Sequence, residues 1–97
     1  MKYRVYYAKV MPHEVNDVSF VPGETHSFIR EVEVNELAEV YGKMQGLNWS
    51  PNGEARPIIE AAGVFHTSMS VGDVAVDEEG QAWLCDCWLE TLCQKDP

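Results

Sequence analysis

The chain predicts an α+β domain, a mainly antiparallel sheet packed on one face by two helices, with elements in the order β-β-α-α-β-β. Three observations carry this expectation. Aromatic and β-branched residues alternate near the start, two stripes with i, i+3, i+4, i+7 spacing occupy the middle, and a hairpin pattern follows them. At 97 residues, two separate cores would each be too small to hold together, so residues 1–97 read as a single domain. An apolar share of 45%, with Trp49, Trp83 and Trp88, supplies enough surface to bury for one core.

Residues 2–10 place Tyr3, Val5 and Tyr7 on one face and Arg4, Tyr6, Ala8 and Val10 on the other, the period of a strand. Pro12 to Gly23 holds Asn16-Asp17 and Pro22-Gly23 and reads as a long loop, with room for an extended piece at Ser19–Val21. From Ser27 to Val34, Phe28, Val32 and Val34 share a face interrupted by Arg30, while Glu31 and Glu33 point the other way. This is the second strand.

Asn35 is a good N-cap, and Glu36 and Glu39 suit the positive end of a helix dipole. Leu37, Val40, Tyr41 and Met44 form the apolar stripe of that first helix, and Gly46 reads as its stop. Trp49 to Gly53 is loop chemistry, in which Ser50 or Asn52 can cap a second helix with Pro51 tolerated in its first turn. The second helix carries Ala55, Ile58, Ile59 and Ala62 on one stripe and ends near Gly63; Pro57 shortens it from the front. Val71, Val74 and Val76 then indicate a strand, Asp77-Glu78-Glu79-Gly80 a turn, and Gln81 to Trp88 the returning strand. Glu90 to Cys93 fits either a helical turn or an extended stub.

The net charge of −9 is unevenly placed: residues 1–48 hold seven acids against five bases, residues 49–97 nine against two. Such a surface repels phosphate backbones and disfavours direct nucleic-acid binding, while leaving a basic protein partner open. Residues 2–7 lack the apolar core of a signal peptide and no later stretch has the length of a membrane span, so a cytoplasmic protein without membrane association is expected. Cys85, Cys87 and Cys93, odd in number and clustered, do not form a secreted disulfide framework. On a strand, Cys85 and Cys87 would stand about 6.5 Å apart, near the upper limit for bridging. One-residue spacing is also not that of a zinc knuckle, so packing cysteines are the expectation, with no metal and no cofactor assigned.

Two loops concentrate the candidate chemistry. Trp49, Ser50, Asn52 and Glu54 lie in the first, and His66, Thr67, Ser68 and Asp73 in the second. Each mixes a ring with several hydrogen-bonding groups, and together they flank the second helix as a candidate binding surface. His66, Ser68 and Asp73 also contain the residue types of a hydrolytic triad, which makes a small-ligand or hydrolytic pocket the alternative. No strained G-x-S-x-G turn and no G-x-x-x-x-G-K phosphate loop accompanies them, so no catalytic residue is assigned. The bland counterpart is that the loop hydroxyls satisfy loop backbone and pin the helix to the sheet.

The run from Trp49 to Ala55, followed by His66 to Val74, resembles a group of small uncharacterised proteins encoded by bacteriophages and mobile elements. The Ser70-Val71-Gly72-Asp73-Val74 portion is similar to the start of the terminal hairpin in YodL-like domains. The resemblance covers the chain from the first helix onward and implies a setting, a phage or plasmid accessory protein inside a bacterial cell, without an activity. Joined to the acidic second half, it makes a non-enzymatic protein that binds a host or phage protein the leading expectation. A DNA mimic is one version of it.

Overall fold

The computed structural model describes residues 1–9, 20–70 and 72–85, together with the backbone of 92–94. Its class is α+β. Five strands, β1 (Lys2–Ala8), β2 (His26–Glu33), β3 (Val74–Val76), β4 (Ala82–Cys85) and β5 (Leu92–Gln94), form one sheet in the order β2-β1-β3-β4-β5. Every neighbouring pair is antiparallel. Between β2 and β3 lie three short helices, α1 (Ala38–Lys43), α2 (Gly46–Trp49) and α3 (Arg56–Ala62).

β1 is central because its alternation suits both faces. Tyr3, Val5 and Tyr7 point into the main core with Val40 of α1, Met44 just after that helix and Ile59 of α3. On the opposite face Tyr6 joins Phe20, Val74 and Leu84 in a smaller cluster. The helices therefore cover one face of the sheet, as expected.

β2 departs from the expected pattern at one point. Val5 pairs with Arg30 and Tyr6 with Phe28, so Ile29 is an extra residue, a bulge in the ladder. The side-chain period slips by one there. Ile29 joins the core, whereas Phe28, expected on the same face as Val32 and Val34, turns to the other face and is 48% exposed. It meets Tyr6 edge-on at 5.6 Å and lies under the Arg4 guanidinium. Arg30, which pairs with Val5, keeps the helix-bearing face that it shares with Val32.

The single first helix expected through Met44 is two helices, and Gly46 opens the second of them instead of ending the first. The cause is tertiary. The Met44 carbonyl, which would continue the helical ladder, accepts instead from the Met69 amide at 3.1 Å and the Trp49 indole at 3.1 Å, with the Tyr7 hydroxyl at 3.3 Å. Gln45 is correspondingly extended. Asn35 makes no side-chain cap; the N-cap position is Leu37, and the Glu39 Oε1 atom accepts from the amides of Asn35 and Glu36 at 3.0 and 3.1 Å, which ties the carboxylate to the segment leading into the helix.

α3 ends at Gly63, which has the left-handed backbone (φ 73°) a helix C-terminus favours. Pro57 sits in its first turn, where the missing N–H is tolerated. Ala55 and Ile59 are buried, yet Ile58, expected on the same stripe, is 42% exposed. A helix of seven residues resting on β2, with the Ser27 hydroxyl donating to the Ala62 carbonyl at 2.6 Å, presents only a narrow i, i+4, i+7 line to the sheet.

The β3–β4 hairpin forms where expected. Asp77 organises its turn: its Oδ1 accepts from the amides of Glu79 and Gln81, both at 2.9 Å, and its Oδ2 from the Trp83 indole at 3.1 Å. Val71 and residues 86–88 of the expected strands lie outside the described residues, as do the side chains of Cys87 and Cys93 and most of the expected Pro12–Gly23 loop; Cys85 is buried. β5 extends the chain where a stub was one of the two alternatives. Replacing Asp77 by Ala removes an acceptor shared by three donors in an exposed turn, and is expected to lower unfolding stability by about 1 kcal/mol in urea titrations.

Candidate functional site

The second loop is built around one carboxylate. Asp73 is 0% exposed, and its two oxygens serve three parts of the chain. Oδ1 accepts from the Ala8 amide at the end of β1 at 2.8 Å; Oδ2 accepts from the Ser70 amide at 2.7 Å and from the His66 ring Nε2 at 2.8 Å. Asp73's own backbone carbonyl takes the Cys85 amide at 2.9 Å and the neighbouring Gly72 amide donates to the Cys85 carbonyl at 2.8 Å, which extends the hairpin pairing past β3. A buried carboxylate needs such an acceptor-saturated setting to be tolerated at all.

His66 lies flat on Tyr7, with ring centroids 4.7 Å apart and 15° between planes. Tyr7 is fully buried, and its hydroxyl donates to the Thr67 carbonyl at 2.6 Å, the partner a buried phenol requires. Burial is the main cause, and the Asp73 charge a second, that pushes the Tyr7 hydroxyl far above the ordinary phenol range. It is a permanent donor.

The two loops meet at the same carbonyls. The Trp49 indole donates to Thr67 at 3.0 Å as well as to Met44, so one ring ties α2 to the second loop. Ser68 Oγ accepts from the Gly46 amide at 2.7 Å, and a Cβ added at Gly46 would meet that oxygen at 3.3 Å. A side chain at this position would crowd the Ser68 hydroxyl. The Ser70 hydroxyl donates to the Ser68 carbonyl at 3.1 Å.

In the first loop Ser50 does not cap α3, whose N-cap position is Ala55 without a side-chain cap; the Ser50 Oγ accepts from the Ala55 amide at 2.8 Å, just before the helix. Asn52 does not cap; its amide donates to Glu54 Oε1 at 2.8 Å, closing the loop on itself. That amide bond is the first reason the exposed Glu54 carboxyl titrates below its usual range.

Of the eight residues singled out in the sequence, Trp49, Thr67, Ser68, Asp73 and His66 converge on one network, while Ser50, Asn52 and Glu54 form a separate tie at the head of α3. His66 and Asp73 pair, but through Nε2, the ring nitrogen that a serine triad turns to its nucleophile. Ser68 does not join them, because its hydroxyl oxygen faces the Gly46 amide. An open groove runs between the turn at 50–53, the outer side of α3 and residues 64–67, bordered by Ser50, Asn52, Arg56, Glu60, Phe65 and Thr67. Phe65 is 83% exposed on its rim.

Sequence reasoning missed His26 and Tyr7. His26 is buried on β2, its Nε2 2.7 Å from the Gly72 carbonyl and its Nδ1 2.8 Å from the Thr25 hydroxyl. A carbonyl only accepts, so Nε2 carries the proton and Nδ1 receives the Thr25 hydrogen. Gly72 has φ 99°, a backbone shape that favours glycine, and its carbonyl is thereby aimed at the ring. A phenol in an alternating strand and a histidine beside a Thr were the available signals, but neither sequence position states what it faces.

Among the described residues no three His, Cys, Asp or Glu side chains gather as a metal site, and no helix is long and apolar enough to cross a membrane. Comparison with protein-family models, with curated proteins and with solved structures finds no match.

Asp73→Asn puts an amide N–H₂ where three donors converge, and is expected to cost about 3 kcal/mol of unfolding stability; Ser68→Ala, which orphans one amide, about 1 kcal/mol. Urea denaturation of both variants checks the ranking. Burial, the leading cause, holds the His26 ring below its ordinary value of 6.5 in the folded chain. The unfolded chain therefore takes up a proton first as pH falls. His26 contributes fully above about 6.5 and its contribution is lost on acidification. Denaturation at pH 7.5 and pH 5 is expected to show a larger acid-side loss for the wild type than for His26→Gln.

Proposed function

We propose that this chain is a non-enzymatic accessory protein that binds another protein through the surface formed by its two polar loops and the groove beside α3. The observation that carries this reading is Phe65. A phenylalanine held 83% exposed, next to loops whose hydrogen bonds are closed on one another, is an apolar anchor on a stiff frame. The excess of nine acids over two bases in residues 49–97 favours a basic partner and would speed the encounter. The likeness of the two loop runs to phage and mobile-element proteins supports a setting inside a bacterial cell.

Two details weigh against the other versions. Asp73 is interior and Asp77 is turned into its own hairpin, so two of the nine acids of the second half are withdrawn from any row of phosphate-like charges. Ordinary protein contact is thus favoured over DNA mimicry. A hydrolytic pocket at His66, Ser68 and Asp73 would need a hydroxyl poised at the imidazole, and the Ser68 and Ser70 hydroxyls are engaged elsewhere.

The test is capture from a bacterial lysate with tagged wild type and tagged Phe65→Asp in parallel. A stoichiometric protein retained by the wild type, lost with Phe65→Asp and released progressively by salt is expected, with coincident thermal melts for the two baits. Retention of the same protein by both would remove Phe65 and its groove from the interface.

A further inference from the structure

A second groove lies at the β2 edge of the sheet, beside α1 and α2, lined by Arg30, Glu39, Gly42, Lys43, Asn48 and Trp49. We propose that it is a binding site for a small oxyanion, a carboxylate or phosphate group, held between the Arg30 guanidinium and the Lys43 ammonium.

The argument starts from charge that has no internal use. Among the described residues Lys9 donates to the Gly23 carbonyl, Arg4 lies over Phe28 and Arg56 pairs with Glu60 at 3.7 Å, while Lys2, which has no such contact, does not line the groove. No carboxylate of the described residues stands within ion-pair distance of Arg30 or Lys43, and neither makes a side-chain hydrogen bond there. In a chain of net charge −9, where carboxylates outnumber cations by 16 to 7, two such cations lining one groove stand out from the surrounding field.

The placement of Arg30 is also well defined. Sharing the face of Val32, it pairs with Val5 on the helix side, its guanidinium carbon 5.4 Å from the centre of the Trp49 ring. Trp49 is itself fixed by two indole hydrogen bonds. A guanidinium held over a ring face still has N–H groups to offer a planar or tetrahedral oxyanion. Lys43 serves as a mobile point charge at the end of α1, where the helix dipole also welcomes it. Glu39 is the opposing feature. Its Oε1 is held by the amides of Asn35 and Glu36, which ties the carboxylate to the segment leading into α1.

Oxyanion binding here needs no protein partner, so it can be tested on the isolated chain. The probes are inorganic phosphate and succinate, titrated against sodium chloride at matched ionic strength and followed by proton–nitrogen correlation spectra. Saturable shifts confined to the Arg30 Nε–H, the Trp49 indole N–H and the amides of Gly42 and Asn48 are expected. Arg30→Gln should weaken binding by about tenfold or more, Arg30→Lys should leave it intermediate, and Lys43→Gln should weaken it without disturbing the Trp49 indole signal. A response to phosphate alone or to succinate alone supports the site and names its preferred ligand. Shifts no larger than those from chloride, or equal affinity in Arg30→Gln and Lys43→Gln, would overturn it. Should Arg30→Gln unfold, the Lys43→Gln titration decides alone.

Discussion

The buried Asp73 carboxylate is the constraint on which the rest of the molecule is arranged. It accepts from the last amide of the central strand, from an amide of its own loop and from an imidazole ring. An ionised group removed from water is stabilised only by such convergence, and half of the set would be worse than none. Its demands therefore propagate. The loop must fold back over β1, which lays His66 on Tyr7, and the Thr67 carbonyl then falls where the Tyr7 hydroxyl and the Trp49 indole both reach it. The break between α1 and α2 completes the arrangement, since Met44 gives up its carbonyl to the same donors.

How much of this was legible in the chain depends on the range over which each feature is decided. The alternation of Tyr3, Val5 and Tyr7, the turn at Asp77 to Gly80 and the end of α3 at Gly63 are settled by neighbours a few residues away, and they were readable. Ile58 was misplaced because a seven-residue helix turns only a narrow line of side chains to the sheet. Phe28 was misplaced for a different reason. Periodicity assigns a face only while the period holds, and a bulge resets it without leaving a mark in composition. Gly46 was misread because a glycine that stops a helix and one that admits a close neighbour look alike until the neighbour, Ser68, is known. Among the site residues, the two loops were visible as clusters of polar side chains. Their division into an interior network and an exposed rim was not, because burial of Asp73 is decided by β1, 65 residues away.

The two surface features follow from that division. Once Trp49, Thr67 and Ser68 are engaged inward, what the loops offer outward is limited to the Phe65 rim and the ends of α3 on one groove. On the other groove it is the cations gathered around the outer side of Trp49. Trp49 belongs to both descriptions, with its N–H in the loop network and its ring against Arg30.

The strand order has a consequence for synthesis. β1 leaves the ribosome early but sits in the middle of the sheet, and β2 covers only one of its edges. Its other edge waits for Val74–Val76, and its final amide waits for Asp73. Until those residues emerge, the nascent β1–β2 hairpin carries an open, aromatic-rich strand and half a core. Long-range closure of this kind is slow and leaves an unpaired edge exposed in the interval. Prematurely terminated chains ending before the β3 strand would therefore be sticky fragments rather than smaller folded proteins, and the domain is best regarded as indivisible.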